Sequence, residues 1–439
     1  MSITKTLFTG VTGLSTHASG LGVVGDNIAN VNTVGYKTER AVFSDLLGRS
    51  MLATNQSGSG VQMSKITRTF SQGTFLPTDS PTDLAINGKG FFIVNGSLSG
   101  VNGNFYSRAG MFTLDNSGNL VNPQGYKLQG YVVNSDGVLD IQLGDLNIAN
   151  SVLPPKATTS IEVFANLDST STVNPGGAAF LTTSPGTTSN FSTAVTVYDS
   201  LGSAHRVDVY FRKTASGPPA DWEYHALVDG GDITGGTAGV AVEMAAGDLE
   251  FTSDGWLNTE TATTSWDSVG GATPTFLGAS GQAVTFDFGE SIADGGNGRA
   301  GTTQYASSSS IRSQEQSGYS TGELAGVGVE GNGNIMAIYS NGEQRMVGQV
   351  ALATFKAEEE LARAGEGLWL ETEESGAALV GGAASGAAGS VTSAALEQST
   401  VDLAGEFVNL IAYQRGFQAN SRTITTADQL YTEIVNLKR

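Results

Sequence analysis

The chain has 439 residues, with 22 basic and 42 acidic side chains for a net charge of −20, 59 glycines and no cysteine. That length allows two or three domains with their own cores, and glycine at about twice its usual share favours many turns and short strands. The negative charge argues against nucleic acid or an anionic membrane as a partner, the missing cysteines remove disulfides and thiolate metal sites, and no 18-residue apolar run offers membrane insertion.

Residues 1–5 lack the apolar core of a secretory signal peptide, so export, if it occurs, is expected to take another route. From Leu7 every seventh residue is apolar (Leu7, Leu14, Leu21, Ile28), with Val11, Ala18 and Gly25 interleaved. This is heptad spacing on a helix. The segment Ala29-Asn30-Val31-Asn32-Thr33-Val34-Gly35-Tyr36-Lys37 then reads as a helix stop and shaped turn, because Asn and Gly tolerate left-handed backbone. Residues 37–75, polar and Ser/Gly-rich around 55–60, read as an extended arm with a short helix near 42–47.

From residue 83 the pattern changes to strands. Residues 84–86, then Asn87-Gly88, then 91–94 predict a hairpin. Residues 106–121 repeat the idea around Asp115-Asn116-Ser117-Gly118, and 127–148 continue it. Pro154-Pro155 marks a boundary. Beyond it, strands are expected at 160–165, 194–197, 206–211, 222–228 and 284–288, separated by Ser/Thr/Gly-rich loops. Near 304 the chain returns to the first β domain, with strands at 325–330, 334–339 and 346–355. A Gly/Ala/Ser linker at 376–393 leads to a final helix. There a second heptad column runs through Leu396, Leu403, Leu410, Phe417, Ile424 and Tyr431, with a weaker companion of Thr400, Phe407, Gln414, Ser421, Asp428 and Val435. Seams at both ends predict a terminal coiled coil. One isolated molecule would leave its apolar edge wet, so self-association into a homopolymer is expected.

The expected fold is multidomain α+β: a terminal α-helical coiled coil (1–36 and 394–439) plus two mainly antiparallel β domains. The arm and linker join these, the inner β domain comprises 76–150 and 305–375, and the outer one, 151–304, is inserted in it.

Enzyme chemistry finds little support. Gly318-Tyr319-Ser320-Thr321-Gly322 matches a nucleophile elbow but is followed by strand and turn instead of a helix. Gly326-Val327-Gly328-Val329-Glu330-Gly331 likewise lacks the helix whose N-terminus would hold a phosphate. His17, His205 and His225 show no metal-ligand spacing. Asp199, Ser200 and His205 are better explained by a hairpin turn than by a triad, and Glu358-Glu359-Glu360 by a solvated helical turn. No catalytic residue, cofactor or metal is expected.

Several of these segments resemble, in chain order, the axial rod and hook proteins of the bacterial flagellum. The turn carrying Asn30, Gly35, Tyr36 and Lys37 looks like that family's N-terminal signature. Ala85-Ile86-Asn87-Gly88-Lys89-Gly90-Phe91-Phe92 and Tyr106-Ser107-Arg108-Ala109-Gly110-Met111-Phe112 are similar to its β-domain motifs. Asp402-Leu403-Ala404-Gly405-Glu406-Phe407 and Gln414-Arg415-Gly416-Phe417-Gln418-Ala419-Asn420-Ser421-Arg422 resemble its terminal helix. The long insert and Tyr198-Asp199-Ser200-Leu201-Gly202 with His205 favour hook over rod; Ser317 and Thr82 depart from the expected pattern.

The resemblance implies a structural subunit of the flagellar hook, exported through the flagellar type III apparatus and polymerised beneath a hook cap protein. The product would be a curved, flexible tube passing torque from the distal rod protein to the hook–filament junction protein and the filament. The segments at 55–60 and 376–390 are then the expected hinges. The alternatives are a distal rod subunit or, from another class, a secreted β-rich adhesin.

Overall fold

The computed structural model of the chain describes residues 3–47, 58–98, 100–134, 137–148, 152–177, 179–217, 219–266 and 275–437. They form two units, one made of Met1–Asn150, Ala325–Ile338 and Gln344–Arg439, the other of Ser151–Leu324 and Tyr339–Glu343. The architecture is mostly β, in several mainly antiparallel sheets, with one long helix near each end of the chain.

In the first unit the N-terminal helix, Ile3–Ala29, has no proline to interrupt it. It stops where the Asn30 side chain donates back to the Asp26 carbonyl at 2.8 Å and Gly35 takes a positive φ of 70°. A side chain at Gly35 would also collide with the Arg108–Ala109 backbone, its Cβ 2.7 Å from the Ala109 nitrogen. Glycine is therefore required twice over.

The expected arm at 37–75 is instead a β-hairpin of Glu39–Leu47 with Gly58–Arg68, docked on the helix where the Thr16 hydroxyl donates to the Val61 carbonyl at 3.3 Å. The short helix expected near 42–47 gives way to strand because Phe43 packs edge-on against His17 and Tyr413. Of the hinge expected at 55–60, residues 55–57 lie outside the described residues, and 58–60 begin the strand Gly58–Arg68.

The main sheet of this unit is antiparallel. Asn334–Tyr339 lies beside Gln344–Thr354, followed by Lys127–Val133, Phe91–Leu98, Val101–Ser107, Leu368–Leu370 and Ala362–Gly365. On one face Phe91, Tyr106, Phe355 and Trp369 form the core with Phe70. The ring pairs Phe70–Phe91 and Phe91–Phe355 meet edge-on at 5.4 and 5.8 Å, the arrangement aromatic quadrupoles favour.

Two expectations fail here for one reason. Leu84–Asn87 does not form a hairpin with Phe91–Leu98 but pairs with Ser390–Ser393, while Leu379–Gly382 pairs with Gln344–Thr354. The Gly/Ala/Ser segment at 376–393 thus holds two paired strands, Leu379–Gly382 and Ser390–Ser393, instead of being a free linker or hinge throughout. Backbone pairing needs no large side chains, so its composition concealed it.

In the second unit five strands, Phe191–Tyr198, Ala204–Lys213, Ala220–Asp229, Ala241–Phe251 and Leu257–Thr264, pair in sequence order as an antiparallel meander. Ser160–Asp168 joins Ser310–Gln316 antiparallel, and Thr285–Asp287 and Thr303–Tyr305 in parallel. Its alternating inward residues Ile161, Val163, Ala165 and Leu167 share a core with Phe211, Trp222 and Phe251 of the meander and with Trp266 beyond it. Because Thr303–Tyr305 and Ser310–Gln316 belong to this group, residues 305–324 fall in the second unit and not in the inner β domain as expected.

The Asp199–Gly202 stretch is the hairpin turn anticipated: the Asp199 carboxylate accepts from Leu201 and Ser203 nitrogens at 2.8 Å each. Downstream of Ser320 the chain enters the strand Gly322–Val329, without the helix that an elbow needs.

Candidate assembly site

The C-terminal helix spans Leu403–Leu437 and begins where Asp402 accepts from the Ala404 nitrogen at 3.1 Å, an N-cap contact. Leu396 is therefore not part of a helical seam. It lies in the strand Ala395–Glu397, opposite Leu76.

The two terminal helices lie side by side and run in opposite directions, and their contact is built on glycine. A Cβ placed on Gly10 would be 2.8 Å from Ile424 Cγ1, on Gly13 2.5 Å from Asn420 Oδ1, on Gly20 3.1 Å from Tyr413 Cε1, and on Gly416 2.6 Å from His17 Cε1. These contacts define the seam as Gly10, Gly13, His17 and Gly20 against Tyr413, Gly416, Asn420 and Ile424. Asn420 is fixed there by donating to the Gly416 carbonyl at 2.9 Å.

The heptad column Leu410, Phe417, Ile424 is half-buried, as are Leu7, Leu14, Leu21 and Ile28. The outer members of that column, Leu403 and Tyr431, are 40 and 53 % exposed, and the companion column lies on the other flank from the one expected: Glu406 and Ala427 are buried and Tyr413 and Asn420 half-buried, whereas Phe407 is 49 % exposed. Gln414 and Arg415 are exposed beside them. A search for large apolar residues passes over glycine; the recurrence of Gly10, Gly13 and Gly20 was the signal available.

Around this pairing an apolar surface stays uncovered. It includes Phe8 and Val11 on the first helix, and Phe407, Val408, Ile411, Leu430, Tyr431 and Ile434 on the second. Scattered apolar residues are ordinary on a surface, but this density along two helices marks an interaction face.

At the base of the helices the signature turn is locked to the C-terminal strand. The Lys37 ammonium meets Glu397 Oε1 at 2.7 Å with neither side chain exposed, and Arg108 Nη1 lies 3.5 Å from Glu397 Oε2. Glu397 also accepts from the Gly73 nitrogen at 2.8 Å, and Lys37 donates to the Ser71 carbonyl at 2.6 Å. Burial pushes both cations below their ordinary pKa values, with Glu397 opposing the shift. Among the described residues Arg108 Nε and Glu397 Oε2 have no hydrogen-bond partner, and Glu397 is the carboxylate that both cations meet directly.

Asn27 joins the helix to the hairpin by donating to the Glu39 carbonyl at 2.7 Å and accepting from its nitrogen at 3.0 Å. The Tyr36 hydroxyl donates to the same Asn27 at 3.2 Å, and burial, with Glu39 nearby, pushes its phenol up to about 12. Asn30 is half-buried on the rim of this turn. Glu397, Arg108 and Asn27 were not singled out in the sequence, since isolated polar residues carry no periodic signal.

Among the described residues no helix is long and apolar enough to cross a membrane. Four family descriptions match along the chain: flagella basal body rod protein at residues 7–37, flagellar hook protein FlgE/F/G D1 domain at 85–166, flagellar basal body protein FlaE D2 domain at 166–319, and flagellar basal body rod FlgEFG protein C-terminal at 392–437. The flagellar hook protein FlgE of Salmonella typhimurium is 36 % identical over 98 % of both chains. Those of Escherichia coli and Borreliella burgdorferi are 35 and 33 % identical, covering 98 and 99 % of each chain. A crystal structure of Helicobacter pylori flagellar hook protein FlgE2 shares the fold with a TM-score of 0.51 at 16 % identity, over 74 % of this chain and all of that one. The chain belongs to the flagellar hook protein family, as a structural subunit of the hook of the bacterial flagellum.

Proposed function

We propose that the paired terminal helices act as a coiled coil that lines the inner wall of a curved, flexible tube, with the second unit, inserted in the first, facing outward. The observation that carries this reading is the apolar face left on the helices by their glycine seam. Heterologous contacts that repeat this face from subunit to subunit generate a helical polymer. The tube joins the distal rod protein to the hook–filament junction protein and transmits torque round a bend. Subunits reach it unfolded through the flagellar type III export apparatus and add beneath the hook cap protein. Catalysis has no part in this role.

Sedimentation in rising ammonium sulfate tests the reading, because an excluded salt strengthens apolar burial and screens the −20 charge. The intact chain should sediment as polymer, and Val408→Asp, at a side chain 67 % exposed, should remain monomeric with an unchanged melting curve. Polymerisation of Val408→Asp at the same salt concentration would count against the helical face.

A further inference from the structure

The second unit contains a cleft of about 480 Å³ bounded by Ser169, Lys213, Ser216, the Thr252–Gly255 turn and the Gln304–Tyr305 edge. That volume lies in the range of small-ligand sites, roughly 300–1,000 Å³. Tyr305 is 44 % exposed, yet its backbone is fixed on both sides. Its nitrogen donates to Asn166 Oδ1 at 3.1 Å, and its carbonyl accepts from Ser169 and Ser307 nitrogens at 3.1 and 2.8 Å. Gly255 lies close to the ring, where an added Cβ would be 3.0 Å from Tyr305 Cε1.

The hydrogen-bonding groups around this platform are unspent. Gln304 is only 7 % exposed, and its side-chain amide has no protein partner among the described residues; nor do the Asp254 carboxylate or the Ser216 and Ser253 hydroxyls. These groups are open to the cleft and free to pair with a bound polar molecule. Lys213, 3 % exposed, adds a cation held by the Ser169 carbonyl. A rigid aromatic face for C–H groups, with amide, carboxylate and hydroxyls around it for O–H groups, suits a molecule that alternates the two chemistries.

We propose that this cleft is a carbohydrate-binding subsite that takes one sugar ring stacked on Tyr305, with its hydroxyls shared between Gln304 and Asp254. The subsite is independent of the polymerising face. The experiment is saturation-transfer NMR on the full chain with maltotriose, triacetylchitotriose and trigalacturonic acid as probes. At least one probe should receive saturation at millimolar concentration, and Tyr305→Ala and Asp254→Asn, both at exposed positions, should each cut the signal at least five-fold with unchanged melting curves. A preference for trigalacturonic acid would add Lys213 to the recognition. No transfer to any of the three, or transfer that survives both substitutions, overturns the proposal.

Discussion

Lys37 and Glu397, 360 positions apart in the chain, meet at 2.7 Å with both side chains fully buried. The contact links the turn after the first helix to the strand before the last one. The folded base of the helical pair therefore requires both ends of the chain. Removing one partner of a buried pair strands the other charge, which costs far more than the intact pair contributes. Here it would strand Arg108 as well. Glu397→Gln should lower the stability of the first unit by about 3–5 kcal/mol in urea unfolding. Unfolding of the second unit, followed by its own tryptophans Trp222, Trp256 and Trp266, should be unchanged.

The glycine seam makes a contrast within one helix. Glycine to alanine on an exposed helical face normally gains up to about 1 kcal/mol, and Gly22, whose Cβ would meet nothing within 4 Å, should behave this way. At Gly13 the new Cβ would be forced against Asn420, so Gly13→Ala should instead destabilise by about 1–3 kcal/mol. Thermal melts of the two variants check the sign of each.

Glu260, on the strand Leu257–Thr264 of the second unit, has its carboxyl pushed up to about 7 by burial, with Asp287 and Asp294 adding to the shift and the Phe288 nitrogen opposing it. An acid whose folded pKa is raised holds its proton more tightly in the folded state. Its contribution to stability is therefore present below the unfolded value of 4.5 and lost as pH rises through about 7. Glu260→Gln should match the parent near pH 4.5 and exceed it at pH 8 by on the order of 1 kcal/mol, discounted for partial solvent screening. Unfolding midpoints across that range provide the check.

If 376–393 were a free linker, prolines would be tolerated there. The strand Leu379–Gly382 pairs with Ala351–Thr354, and consecutive residues of a strand point their N–H groups to opposite sides. Prolines at both Val380 and Gly381 must then remove one ladder hydrogen bond. The double variant should lose about 1–3 kcal/mol of first-unit stability, measured by urea unfolding.

Most of the strands were legible where bulky residues alternate, as in Phe191–Tyr198 and Ala204–Lys213, and so were the Asx turns at Asp115 and Asp199. The terminal helices were legible from their heptads, but the side of contact was not. Phe407 looked like a seam residue because it is large, whereas Gly13 and Gly416 make the contact because they are small. Pairing between distant segments, such as Leu84–Asn87 with Ser390–Ser393, left no local trace. Asn87-Gly88 suggested a hairpin, and Gly88 does take a positive φ of 107°, yet the strand before it finds its partner in Ser390–Ser393. Glu397 was hidden for a related reason, since the meaning of a lone acid depends on cations brought to it by the fold.

The most direct test of the assembly account is negative-stain electron microscopy of the purified chain in ammonium sulfate, beside a version lacking residues 1–36 and 394–439. Curved tubes from the intact chain alone are the predicted result. Tubes from the truncated version, or an intact chain that stays monomeric at every salt concentration, would contradict a polymer built on the terminal helices.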